Sequence, residues 1–224
     1  MSEAAPASTG APRSARPALI WDMGGILYHY FTEVLLEMAP ARGWELAGVP
    51  LGPTGEVADP AYERMLHGEI DEHDYLEEVR ARLRAAGIDV DPVAAIDWHA
   101  HERRAAWEVV AAAHAAGHPQ AVLTNDATRW LGERWWETWE PADWFDRMID
   151  VATLGERKPA AGPYLAAARA LDLPPGKCLF IDDLPVNCAG AEEVGMASQL
   201  LDVRDPQGSL DQLAKRLGLA VGAA

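Results

Sequence analysis

The chain has 224 residues, enough for one large domain, or for a core domain carrying a smaller insertion, with a well-buried interior. Its 35 acidic residues against 19 lysines and arginines give a formal charge of -16, which argues against a nucleic-acid or acidic-membrane partner, because phosphate backbones are held by clustered cations. A hydrophobic share of 49% fits a globular protein, yet no stretch reaches the roughly 20 apolar residues of a membrane span.

Residues 1–17 are rich in Ala, Ser, Pro and Gly and lack the apolar run of a signal peptide, so a disordered tail is expected there. An apolar run at 18–21 follows and ends in Asp22 and the pair Gly24-Gly25. From 31 to about 100 no convincing strand occurs. Amphipathic pieces at 57–66 and 71–86, the second with Leu76, Val79 and Leu83 at helical spacing, predict a helical insertion after the first strand. Beyond it, apolar runs at 120–123, 148–151, 178–181 and 199–203 alternate with helix-like segments near 102–116, 127–138, 160–171, 187–194 and 210–217. Strands alternating with helices of this length predict an α/β fold with a parallel sheet. Ligands of such sheets sit at the carboxyl ends of the strands. Three of the runs end in Asp22, Thr124 and Asp182-Asp183.

Cys178 and Cys188 are the only cysteines and give no disulfide framework. A reducing, cytoplasmic setting is expected.

Four pieces carry the chemistry. Ala-Leu-Ile-Trp-Asp22-Met-Gly24-Gly25 delivers a carboxylate into a glycine-rich turn, and Ala-Val-Leu-Thr124-Asn125-Asp126 delivers a hydroxyl and an amide. Gly-Glu-Arg-Lys158-Pro159 places a cation before a helix, and Leu-Phe-Ile-Asp182-Asp183-Leu-Pro-Val-Asn187 places adjacent carboxylates at a strand end. Each alone has a structural reading as a turn residue, a helix cap or a solvated surface group. Together, in this order, they suit phosphoryl transfer. A carboxylate nucleophile splits ester hydrolysis into two easier steps. The reaction needs its charge neutralised and its groups aligned, and magnesium takes carboxylate and carbonyl oxygens. Lys158 and Thr124 are the candidates for holding the remaining phosphoryl oxygens.

The pattern resembles the haloacid dehalogenase-like (HAD) superfamily over nearly the whole chain after the tail. By that resemblance Asp22 matches the nucleophile, Thr124 the second-motif hydroxyl, Lys158 the third-motif cation, and Asp182 and Asp183 the acidic fourth motif. Thr124, Asn125 and Lys158 would bind substrate. Magnesium would be held by the Asp22 carboxylate, the Gly24 carbonyl and Asp183, with Asp182 supporting through water. Residues 67–72 and 158–164 resemble the subgroup with a helical cap after the first strand. The resemblance therefore implies a three-layer, Rossmann-like core with a parallel sheet at 18–30 and 101–224, and a helical cap at 31–100 that closes over a small phosphorylated metabolite.

One departure stands out. Phosphatases of that superfamily carry a second Asp two residues after the nucleophile as general acid and base, and here the position is Gly24. Three readings stay open: His29 or Asp126 supplies the proton, the leaving group needs none (as in an acyl phosphate), or the chemistry is metal-free 2-haloacid dehalogenation. The paired carboxylates Asp182 and Asp183 argue against the last, since they repel one another unless a cation is present. A rival from another class is a non-catalytic phosphate-binding or interaction module, against which the retained Asp22 weighs.

Other features receive plainer readings. Trp130, Trp135, Trp136, Trp139 and Trp144 are expected to pack a helix and its following loop, although a homodimer contact would be sought there first. His99 with His101, and His114 with His118, are read as residues of exposed, Ala-rich helices, since no third metal ligand accompanies either pair. Cys188 reads as a small buried hydrophobe.

Overall fold

The computed structural model describes residues 16–125, 127–132, 135–137, 139, 143–151 and 154–221. The expected disordered tail and Asp126 lie outside these residues, apart from Arg16 and Pro17. Five strands form one parallel sheet in the order β3-β2-β1-β4-β5: β1 Ala18–Trp21, β2 Gln120–Thr124, β3 Arg147–Asp150, β4 Cys178–Asp182 and β5 Ala197–Leu200. The helices are α1 Phe31–Arg42, α2 Pro60–Leu66, α3 Glu72–Ala85, α4 Arg104–Ala115, α5 Ala127–Leu131, α6 Ala161–Ala170, α7 Pro185–Glu193 and α8 Pro206–Leu217.

The three inner strands are buried along their whole length, which is why they read as unbroken apolar runs. Successive side chains feed opposite layers. Leu19, Trp21, Val122, Leu179 and Ile181 join one core, with Ala106 and Val110 of α4 and Leu210 and Leu213 of α8. Ala18, Ile20, Ala121, Leu123 and Phe180 join the other, with Tyr164 and Ala167 of α6 and Ala191 of α7. This alternation is the period-2 signature of strands, and it yields a three-layer α/β fold.

The stretch between β1 and α4 holds α1, α2, α3 and short turns, with no strand. Its two ends run side by side: the His29 N–H donates to the His101 carbonyl at 2.9 Å, and the Arg103 N–H to the Leu27 carbonyl at 2.8 Å. Within it Asp59 is a hub. Its carboxylate accepts from the N–H groups of Gly52, Ala61 and Tyr62, the Tyr75 hydroxyl and the Arg82 guanidinium.

Several boundaries differ from expectation. The last strand is Ala197–Leu200 rather than 199–203, because buried Leu201 and Val203 belong to the loop after an edge strand that is itself partly exposed. Helix α5 stops at Leu131 rather than 138: Gly132, at φ +87°, takes the chain out of the helix. Helix α8 begins at Pro206, four residues before 210, capped by Asp205, whose side chain accepts from the Gly208 N–H. His118 is buried rather than exposed on a helix, with Nδ1 2.9 Å from the Pro17 carbonyl. Trp135 and Trp139 are buried as packing residues. Trp139 stacks on Phe145 at 5.5 Å and donates its indole N–H to the Tyr28 hydroxyl at 2.8 Å.

Candidate active site

The strand order reverses direction around β1, so the ends of β1, β2 and β4 open on one crevice. Asp22 follows β1, Thr124 closes β2, and Asp182-Asp183 closes β4. The carboxylates of Asp22, Asp182 and Asp183 come within 4.8 Å of one another. Lys158, from the segment between β3 and α6, reaches in beneath them. Its Nζ donates to Asp22 Oδ1 at 2.5 Å and to Asp182 Oδ2 at 2.8 Å, with its side chain 1% exposed.

Asp182 is fully engaged. Besides Lys158 it accepts from the Leu184 N–H at 2.8 Å, and Asn187 Nδ2 lies 3.1 Å from both of its oxygens. Asn187 is fixed in turn by α7, and its carbonyl accepts from the Tyr164 hydroxyl at 2.8 Å. Asp183 contrasts with its neighbour: its Oδ2 is buried without a hydrogen-bond partner. An unpartnered buried carboxylate oxygen is costly unless a cation or a proton meets it. The glycine turn after β1 packs directly on this oxygen. Gly25 has φ +72°, and a Cβ there would stand 2.5 Å from Asp183 Oδ2.

The electrostatics agree. Burial pushes the Asp22 carboxyl up to about 7, with the charges of Asp182 and Glu72 adding to the effect and Lys158 opposing it. Burial also raises Asp183 well above the usual carboxylate range, reinforced by Asp182, Asp22 and Glu72. Burial alone would lower Lys158, but Asp182, Asp22 and Glu72 outweigh it and keep the ammonium protonated. A divalent cation among these oxygens would restore the ionised forms of Asp22 and Asp183. The free oxygen of Asp183, the neighbouring Asp22 carboxylate and a hard-oxygen donor set fit magnesium.

Most of the expected site residues meet here. Thr124 is buried and shares a small pocket with Met23, Gly24 and Tyr28. Asn125 bridges two elements, its Oδ1 accepting from the Lys158 N–H at 3.0 Å and its Nδ2 donating to Glu72 Oε2 at 3.3 Å. His29 follows the glycine turn and is half-buried. Its backbone N–H is paired with the His101 carbonyl, and burial and the neighbouring Arg103 lower its imidazole below the ordinary value.

Three residues were missed. Glu72, the first residue of α3, closes the segment 67–72 that carries the resemblance to the capped subgroup, but nothing in that segment gives its side chain a role. Asn187 sits in a motif that drew attention only to its aspartates. Arg103, buried, donates to the Gly25 carbonyl at 3.2 Å and to Glu33 at 2.7 Å, bracing the glycine turn from the far end of the helical insertion. Nothing in its local sequence signals this.

Beside the cluster lies a cavity of about 210 Å³, lined by Met65, Ile70 and Glu72 on one side and Asn125, Lys158 and Val186 on the other. The family model of the haloacid dehalogenase-like hydrolases matches residues 17–195, a span that holds every one of these groups. The chain belongs to the haloacid dehalogenase-like hydrolase family. The fold is shared with solved HAD structures at low identity. An L-2-haloacid dehalogenase is 18% identical with a TM-score of 0.56, over 84% of this chain and 86% of that one. A HAD-superfamily hydrolase of subfamily IA, variant 1, from Geobacter sulfurreducens is 19% identical with a TM-score of 0.52, over 86% and 89%. A β-phosphoglucomutase from Clostridium difficile is 15% identical with a TM-score of 0.50, over 90% and 100%. Comparison with curated proteins gives no match. Membership makes this HAD protein a hydrolase enzyme, and no helix among the described residues is long and apolar enough to cross a membrane.

Proposed function

We propose that this HAD hydrolase is a magnesium-dependent phosphatase acting on a small phosphomonoester or acyl phosphate, with Asp22 as the nucleophile. The observation that carries this reading is the unpartnered, buried Oδ2 of Asp183 within a cluster of three carboxylates. Without a cation this carboxyl must stay protonated, whereas a cation satisfies its ionised form. Asp22, Asp183 and the Gly24 carbonyl would hold magnesium, which when bound supplies charge neutralisation for the phosphoryl oxygens.

The remaining steps belong to the chain. Lys158, tied to Asp22 and Asp182, holds the nucleophile in place and offers positive charge to the phosphoryl group. Thr124 and Asn125 present a hydroxyl and an amide from the end of β2. Asn187 and the Leu184 N–H keep Asp182 oriented towards Lys158. The insertion at 31–100 acts as a cap that encloses the substrate in the adjoining cavity, and the free, buried Cys178 and Cys188 support a reducing, cytoplasmic setting.

Hydrolysis of p-nitrophenyl phosphate and acetyl phosphate, with and without magnesium, tests this reading in the wild type and Asp22→Asn. Magnesium-dependent turnover that disappears in Asp22→Asn is expected. Halide release from a 2-haloacid without metal, and no phosphate release, would overturn it.

A further inference from the structure

Expelling an alkoxide from phosphorus requires a proton on the leaving oxygen, and no side chain is available for this at Gly24. The groups around Asp22 narrow the choice. Asp182 has its oxygens occupied by Lys158, Leu184 and Asn187. Asp183 turns its free oxygen towards the glycine turn and the cation site. Among the described residues, Glu72 is the further carboxylate whose charge acts on Asp22, and it acts on Asp183 and Lys158 as well.

Its position is built by the fold. Glu72 is the first residue of α3, directly after Asp71, whose side chain caps the helix by accepting from the Asp74 N–H at 2.8 Å. The cap fixes where the helix starts and so where Glu72 stands. The Glu72 carboxylate is then steadied by Asn125 Nδ2 at 3.3 Å, from the strand-end side of the crevice. Glu72 lines a pocket together with Gly24, Tyr30 and Tyr75, and it also lines the larger cavity with Asn125 and Lys158. It therefore stands between the bare turn at Gly24 and the space open to a leaving group.

Resting on the phosphatase reading, we propose that Glu72 is the general acid and base of this enzyme, supplied by the helical insertion in place of a side chain at position 24. In the first step a bond forms between an Asp22 carboxylate oxygen and phosphorus. The bond from phosphorus to the leaving oxygen breaks, and the Glu72 proton passes to that oxygen. In the second step a water oxygen bonds to phosphorus as the Asp22–phosphorus link breaks. The water gives one proton to Glu72, inorganic phosphate leaves, and Asp22 and Glu72 return to their starting forms. Because α3 carries the acid, protonation of the leaving group is coupled to correct seating of the insertion over the substrate.

The test compares wild type, Glu72→Gln and Glu72→Ala, with magnesium, on an alkyl phosphate, phenyl phosphate and p-nitrophenyl phosphate. Glu72→Gln keeps an oxygen that can accept from Asn125 but has no proton to exchange. The expected result is a loss of roughly 10²–10⁴-fold in kcat/KM on the alkyl ester. The loss should shrink progressively towards p-nitrophenyl phosphate, whose retained turnover also shows that the variants are folded. A uniform loss on all three esters would assign Glu72 a merely structural role and overturn the proposal, as would no loss in either variant. A wild type that hydrolyses none of the three would leave Glu72 no leaving group to protonate and overturn the proposal, and no turnover of acetyl phosphate either would overturn the phosphatase reading itself.

Discussion

Lys158 Nζ lies 2.5 Å from Asp22 Oδ1 and 2.8 Å from Asp182 Oδ2, so one buried ammonium ties the end of β1 to the end of β4. The central strands are thus joined at the point where the chemistry is proposed to occur. Stability and activity share this contact, and the two can be separated by adding a metal.

Lys158→Met removes the ammonium but keeps most of the side-chain volume. Breaking one side of a buried charge arrangement costs about 3–5 kcal/mol, because the carboxylates left behind lose their buried counter-charge. The variant should therefore melt well below the wild type and lack phosphatase activity. Magnesium should raise its Tm by more than it raises that of the wild type, since the cation replaces the missing charge. No shift in either protein, in calorimetric melts with and without magnesium, would show that no metal is bound among these oxygens, and equal shifts would show that the cation does not replace the lost charge.

Gly25→Ala probes the same cluster from the opposite side. Its Cβ would stand 2.5 Å from Asp183 Oδ2 and 3.3 Å from Val203 Cγ1, at a residue with φ +72°. The backbone strain costs roughly 1–2 kcal/mol, which the fold should survive. The displaced Asp183 carboxylate should weaken magnesium binding by about 10–100-fold, the usual scale for disturbing the support of a metal ligand. An unchanged Kd in a calorimetric titration would rule out Asp183 as a ligand.

Much of this architecture was legible in the chain because burial on both faces writes uninterrupted apolar runs, as at Ala18–Trp21 and Cys178–Asp182. The edge strand Ala197–Leu200 was misplaced for the converse reason. Its own side chains are partly exposed, and the apolar signal came from Leu201 and Val203 beyond it. The start of α8 did have a signal, Asp205 as cap and Pro206 in the first turn, which the apolar spacing alone overlooked. Asp22, Thr124 and Asp182 could be named because each ends or follows a strand, and Lys158 because it is a cation set just before Pro159 and a helix. Glu72 could not. It is brought to Asn125 by the packing of the insertion on the sheet, and its neighbours Glu69, Asp71 and Asp74 disguise it as one of many surface acids.

The insertion has its own acid-labile fastening in Asp59. Burial alone would raise this carboxyl, but hydrogen bonds from Gly52, Arg82, Tyr75 and Tyr62 outweigh it and hold the group below its ordinary value. A depressed carboxyl contributes stability that is present above its unfolded value, near 3.9, and is lost as pH falls through the folded one. Asp59→Asn should cost about 1–3 kcal/mol at neutral pH, since buried donors lose a charged acceptor. It should also flatten the loss of stability with pH below about 4. Parallel acid-unfolding curves for the two proteins would show that Asp59 contributes nothing to the pH dependence.

Substrate choice should reside where the insertion meets α7. Met65 and Ile70 face the cavity from one side and Val186 from the other, and a Cβ added at Gly68 would lie only 3.0 Å from Val186 Cγ2. Val186→Phe adds bulk at this seam while leaving the carboxylate cluster unaltered in sequence. A misfit of this size in a substrate pocket is worth roughly tenfold or more in discrimination. The variant should therefore raise KM at least about tenfold for bulky phosphate esters, while kcat/KM for acetyl phosphate stays within about twofold. Acetyl phosphate needs little more than the phosphoryl site itself, so it reports whether that site is intact. If both substrates suffered equally, the substituted side chain would have disturbed the docking of α3 and Glu72 rather than narrowed the cavity. If neither changed, the leaving group would have to lie elsewhere, and the pocket shared by Gly24, Tyr28 and Thr124 would become the place to mutate next.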